Sequence, residues 1–210
     1  MHYEKDPSSI YAQSFATVRA ETDLSRIPEE LHPAAIRLVH ACGMVDLPED
    51  LRFSPDVYAS AHRAILAGAP VFCDVEMVKA GVIQRYLKGN KVIVTLNDKQ
   101  TPALAKRLGT TRSAAAVELW EEHIEGAIVA IGNAPTALFH LLQKLDDGWP
   151  KPAAILGFPV GFVGAAESKA ELAANPRGVP YLALAGRRGG SAMASAAVNA
   201  MAAGLAEEIK

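Results

Sequence analysis

The sequence predicts an α/β fold: a doubly wound, mainly parallel sheet of about five strands, layered α/β/α, with extra N-terminal helices. Three observations predict it. Three short apolar runs each end in a glycine-rich loop: Ala127–Ile131 into Gly132-Asn-Ala-Pro-Thr136, Ala153–Leu156 into Gly157-Phe-Pro-Val-Gly-Phe-Val-Gly164, and Tyr181–Ala185 into Gly186-Arg-Arg-Gly-Gly-Ser191. The loop-opening glycines lie 25 and 29 residues apart, which leaves room for one strand and one crossover helix per unit. Two further apolar runs, Val71–Cys73 and Lys91–Leu96, precede them in the same alternation. Strands that alternate with helices form a parallel sheet covered on both faces. Right-handed crossovers make the arrangement flavodoxin-like, with ligands bound along the carboxyl edge where the loops gather.

Each element has its own signal. Residues 8–27 read as a helix: Ser8 or Ser9 can cap it, Ile10, Phe15 and Val18 recur at helical spacing, and Pro28 follows its end. Residues 33–45 make a second helix, with Pro33 in the first turn and Gly43 near the exit. Residues 55–67 make a third, closed by Gly68. Val71–Cys73 is a short strand and Lys91–Leu96 a strong one, before the three glycine-ended strands. Further helices fall near 75–87, 99–108, 112–124, 135–145 and 190–208. The last is rich in alanine, and its small face suits close packing, in the core or against a second copy. The chain divides into a helical segment over 1–68 and βα alternation over 69–210, within a single domain spanning 1–210.

The chain has 210 residues, half of them hydrophobic and 21% charged, an ordinary globular balance with enough length for a full core. Its formal net charge of −2 argues against a general attraction to nucleic acid. No run approaches the ~18 apolar residues of a membrane span, and the first residues lack the apolar region of a signal peptide. A cytoplasmic protein is expected. Cys42 and Cys73 stand outside any CxxC or ligand-spaced pattern and read as reduced thiols. No metal-ligand cluster and no Ser-His-Asp spacing is visible.

Among six histidines, His32, His62, His123 and His140 fall in or beside helices without ligand-spaced partners and read as surface or hydrogen-bonded core residues; His2 lies near the chain start. His40 differs. It occupies the last turn of the 33–45 helix, on the flank of an apolar stripe of Ala35, Leu38, Val39 and Cys42. A helix carboxyl end favours protonated imidazole, and a pKa held near or above neutrality suits a proton donor. The same placement also serves as a plain complement to the helix dipole. Thr110-Thr-Arg-Ser113 opens another helix with Arg112 in its first turn, where a cation is unfavourable unless an anion docks there. A solvent-exposed arginine is the other reading. Gly186-Arg-Arg-Gly-Gly-Ser191 reads as an anion cradle, without the spacing of a P-loop. No strand opens into GxGxxG. The apolar 157–164 loop is either a tight connection or a surface for a flat ligand. Together these loops describe a flat, largely apolar ligand with a carboxylate fringe.

Several segments, in their order along the chain, resemble the precorrin-8X methylmutase family. They are Ser14-Phe-Ala-Thr-Val-Arg-Ala-Glu21, Arg37-Leu-Val-His-Ala-Cys-Gly-Met44, Asp74-Val-Glu-Met-Val-Lys-Ala-Gly81, Thr111-Arg-Ser-Ala-Ala-Ala116, Gly132-Asn-Ala-Pro-Thr-Ala137, Gly157-Phe-Pro-Val-Gly-Phe-Val163 with Glu167-Ser-Lys169, and Gly189-Gly-Ser191. The resemblance runs from about residue 7 to residue 205. It implies a cytoplasmic homodimer that moves a methyl group between adjacent carbons of ring C of precorrin-8X, a tetrapyrrole, to give hydrogenobyrinate or its cobalt form. It implies no cofactor, methyl donor or metal. The family's catalytic histidine falls on His40, and Ser14, Thr111 and Arg112 fall near the substrate. Arg19, Asn133, Gly157, Arg187, Gly189, Gly190 and Ser191 are further expected contacts, inferred from their loops and charges. Two other functions fit less well. A flavin- or nucleotide-binding protein needs a phosphate loop after the first strand, where Asp74-Val-Glu76 stands. A non-catalytic tetrapyrrole carrier explains the loops but leaves the placement of His40 to chance.

Overall fold

Five parallel strands form the body of the sheet: β2 (Val71–Cys73), β3 (Val92–Val94), β4 (Ile128–Ile131), β5 (Ala154–Gly157) and β6 (Tyr181–Leu184). The structure is a computed structural model and describes residues 3–203. Among these five the spatial order is β6-β5-β4-β2-β3, the doubly wound arrangement with its reversal between β2 and β4. A sixth strand, β1 (Leu51–Phe53), pairs antiparallel with β6, Leu51 opposite Leu184 and Phe53 opposite Leu182. The sequence reading omitted it and placed only helices before residue 68. An antiparallel edge strand on a parallel sheet is a common extension.

Alternation along each strand sends side chains to two cores. Val71, Cys73, Ile128, Ala130, Leu156, Leu182 and Leu184 face the first. It is covered by α1 (Pro7–Glu21), α2 (His32–Cys42), α3 (Val57–Leu66), α4 (Glu76–Gly81) and α9 (Ser191–Ala203). Phe72, Val129, Ile131, Ile155 and Ala183 face the second. There the cover comes from α6 (Arg112–Val117), the following 3-10 turn with Trp120, α7 (Pro135–Asp146) and α8 (Ala165–Ala174), while α5 (Thr101–Leu108) packs on α6. Helix α8 occupies the crossover that the 29-residue spacing demanded.

Several boundaries shift for local reasons. Asp6, not Ser8 or Ser9, caps α1 by accepting from the Ser9 amide at 2.7 Å. That helix stops at Glu21 rather than 27, where Asp23 accepts from the Ser25 amide and turns the chain. The expected 75–87 helix is split, because Asn199 of α9 accepts from the Ile83 amide and donates to the Gly81 carbonyl, closing α4 early. The 112–124 helix becomes α6 and a 3-10 turn over Glu118–His123. The alanine-rich α9 is buried on nearly every side and packs against α2, α3 and α4, so its small residues serve the core. A Cβ on Gly81 would lie 2.3 Å from Ser195 Oγ, which shows how closely α4 and α9 approach. Residues 204–208 of the expected last helix, and His2, lie outside the described residues.

Candidate active site

The carboxyl ends of β2, β4, β5 and β6 gather the glycine loops on one edge of the sheet, as expected. The first of these loops is organised by a residue that the sequence reading passed over. Asp74, directly after β2, is buried and accepts from three successive amides, Gly132 and Asn133 at 2.9 Å and Ala134 at 2.8 Å. Burial pushes its carboxyl above the usual range, and the three N–H donors pull against that. The Asn133 side chain is left exposed on the edge. The available signal was an acid at a strand end facing a Gly-Asn turn; the 58-residue separation hid the pairing.

His40 lies in the last turn of α2, and Gly43 closes that helix at φ 70°. Helix α1 packs alongside and brings Ser14 Oγ to 2.8 Å from His40 Nδ1. Phe15 stacks on the imidazole with centroids 4.6 Å apart, and Tyr11 lies 5.7 Å away. The half-buried ring is therefore held on one face by an aromatic and at Nδ1 by a hydroxyl. Among the described residues, Nε2 is the nitrogen left to meet a ligand. The expected upward pKa shift is corrected here: desolvation lowers the pKa of His40, and the Arg37 charge one turn earlier lowers it further.

The other expected residues divide by role. Thr111 caps α6 through the Ala114 amide and donates to Thr136 Oγ1 at 2.9 Å, tying α6 to the loop after β4. Arg112 is exposed, and its Nη2 donates to the Leu96 carbonyl and Asn97 Oδ1. It thus braces the turn after β3, and it shares no hydrogen bond with the His40–Ser14 pair. Arg19 is exposed in the last turn of α1. Of the two cations in the 186–191 loop, Arg188 is committed to Asp46 at 2.8 Å and Asp50 at 2.6 Å. Arg187 remains exposed, with its guanidinium 5.5 Å from the Phe162 ring centroid. Gly189 has no room for a side chain: a Cβ would lie 2.4 Å from the Phe158 carbonyl oxygen. Gly190 donates its amide to that same oxygen at 2.8 Å and adopts φ 129°. Gly157 and Ser191 are buried. A Cβ on Gly157 would strike Leu172, and Ser191 opens α9 beneath Gly132, so the structure gives both a packing role. Loop residues Phe162 and Val163 are 86% and 88% exposed, apolar surface offered outward.

Arg188 also links the two halves of the site. Its guanidinium reaches Met44 Sδ and Asp46, just past the end of α2, so the 186–190 loop is fastened to the helix that carries His40. Three of the other histidines are hydrogen-bonded, His32 with the Ile27 carbonyl, His62 with the Met201 carbonyl and His140 with Glu118, and His123 is exposed. Cys73 is buried, which pushes its thiol well up. No helix among the described residues is long and apolar enough to cross a membrane.

The fold is that of a doubly wound α/β protein, and the candidate site joins an imidazole held by a hydroxyl to exposed apolar loop residues and exposed arginines. The precorrin-8X methylmutase family model matches residues 9–203. The chain is 61% identical over 201 residues to a precorrin-8X methylmutase of Pseudomonas aeruginosa, covering 95% of this chain and 97% of that one. It is 59% identical to a precorrin-8X methylmutase of Sinorhizobium sp, covering 95% and 96%. The crystal structure of precorrin-8x methyl mutase from Thermus thermophilus superposes with a TM-score of 0.83 at 34% identity, covering 92% of this chain and 93% of that one. The chain belongs to the precorrin-8X methylmutase family.

Proposed function

We propose that this chain isomerises precorrin-8X to hydrogenobyrinate by moving the ring-C methyl group to the adjacent carbon, with His40 as general acid. The observation that carries the reading is the Ser14 Oγ–His40 Nδ1 contact, which fixes the ring and leaves Nε2 as the remaining nitrogen. The shift is sigmatropic: one carbon–carbon bond breaks as another forms within the same π system, and no atom is gained or lost. A proton lent to the conjugated macrocycle makes it more electron-poor and lowers the barrier; the proton returns to His40 when the product forms. Desolvation and Arg37 disfavour the imidazolium. Substrate carboxylates supply the opposing negative charge, so the proton enters with the substrate. Arg19, Arg112 and Arg187 are exposed cations suited to those carboxylates, and a bidentate contact from Arg112 would replace its bonds to the Leu96 carbonyl and Asn97. Phe162 and Val163 offer apolar surface that a flat pigment covers, which keeps water from the transferred proton.

We further assign the protein to the cytoplasm as a homodimer; light scattering of the purified chain tests the dimer. The reaction is tested by incubating the protein with precorrin-8X and following the visible spectrum and mass. A spectral change at constant mass is expected. His40→Ala should still bind the pigment and lose ~10²–10⁴-fold in turnover, the usual contribution of a placed acid. Binding without spectral change in the native protein would instead mark a carrier.

A further inference from the structure

Behind the 186–191 loop, on the α8 side of β6, lies a cavity of about 390 Å³. Its walls are mostly alanine, including Ala166, Ala170 and Ala173 of α8 and Ala183 of β6, and the cations on it are Arg52 and Lys169. Lys169 is only 1% exposed. Its Nζ donates to the carbonyl oxygen of Arg188. Burying an ammonium group is costly unless it is paired and hydrogen-bonded, and desolvation brings this one down to about 8 with only Asp50 opposing. Packing against alanines does not call for a charged head group; an apolar side chain of equal length fills the same space.

The partner of that head group explains its presence. Arg188 is gripped twice: Lys169 holds its carbonyl from the cavity side, while Asp46 and Asp50 hold its guanidinium from the flank. Of the next two residues, Gly189 lies tightly against the Phe158 and Pro159 carbonyls and Gly190 donates its amide to the Phe158 carbonyl. The Arg188 carbonyl therefore sets where the double-glycine turn stands. We propose that Lys169 is a positioning residue for the methylmutase reaction: from inside the alanine-walled cavity, its ammonium fixes the Arg188 carbonyl and so holds the Gly189–Gly190 turn in the shape that receives the corrinoid. This rests on the reading that the turn touches the pigment.

The test is pigment affinity and steady-state kinetics of three variants. Lys169→Met keeps the length and loses the donor; losing a charge-assisted hydrogen bond should weaken precorrin-8X binding by ~10–100-fold and raise KM in proportion, with a smaller fall in kcat. Lys169→Arg, which has cavity space for its larger head group, should bind more tightly than Lys169→Met. Lys169→Ala opens the side-chain channel into the cavity, so added propylammonium should restore affinity where 1-propanol does not. A folded Lys169→Met protein within twofold of the native KM overturns the proposal. If that variant does not fold, Lys169→Ala decides, and indifference to propylammonium overturns the proposal equally. Failure of the native protein to convert a pigment it binds is a separate result. It overturns the isomerase reading and leaves the effect of Lys169 on binding to be judged on affinity alone.

Discussion

Replacing Asp74 with asparagine should weaken the fold by about 2–3 kcal/mol, and the figure can be worked from three hydrogen bonds. One carboxylate oxygen accepts from Gly132 and the other from Asn133 and Ala134. An asparagine oxygen can take one of these places. Set toward Asn133 and Ala134, it keeps two bonds but turns its NH₂ toward the buried Gly132 amide. An unsatisfied buried donor costs ~1–3 kcal/mol, and two bonds that lose their charge give up ~1 kcal/mol each. Relief of a desolvated carboxylate returns part of that. With a urea slope near 2 kcal/mol/M, the midpoint should fall by ~1 M. Asp74→Ala leaves two buried amides bare, at Gly132 and Ala134, and should fall further. Equilibrium urea unfolding followed by far-UV circular dichroism checks both variants. A midpoint for Asp74→Asn within ~0.25 M of the native protein would refute the claim that this acid organises the loop.

Three other outcomes are expected. Because the folded pKa of His40 is depressed below the unfolded value, the unfolded chain takes up the proton first on acidification. Stability should therefore fall as pH drops from about 6.5 toward the folded pKa, and His40→Ala should lose less over that window in urea titrations at several pH values. For catalysis, the same shift places the descending limb of kcat/KM below about pH 6.5; Arg37→Met should move that limb upward, and a native limb above neutrality would contradict the assignment. Gly81→Ala puts a methyl 2.3 Å from Ser195 Oγ and 2.7 Å from its Cβ, an overpacking expected to cost ~1–3 kcal/mol. Ser195→Gly should relieve part of it in a double-mutant cycle measured by thermal unfolding.

The five parallel strands were legible because each is an apolar run, most of them closed by a glycine or polar turn, and buried strands need no alternation to be recognised. Strand β1 was not. Leu51-Arg-Phe53 is three residues long with a charge in the centre, and only its pairing with β6 makes it a strand. The break after Gly81 was equally invisible, since Asn199 reaches it from 116 residues beyond Ile83. His40 was marked by its place in the last helical turn as well as by the family's motifs, Ser14 by the motifs alone; their spacing of 26 residues carries no local signal. The sign of the His40 shift was misread because the helix end is local while Phe15, which buries the ring, belongs to another helix. Asp74 and Lys169 were visible only as parts of motifs. A charged residue ordinarily reads as surface, and both become informative once they are seen to be buried.

Helix α9 sets a limit on how this protein can vary. Its alanines and serines are the spacers that let α2 and α4 pack closely against it while it lies on β4 and β5. A valine at Ala197, fully buried there, would push against whichever neighbour yields, and α2 carries the imidazole. Positions with the smallest side chains and no chemistry of their own should thus be among the least replaceable, and a scan of conservative enlargements along α9 should cost turnover before it costs solubility.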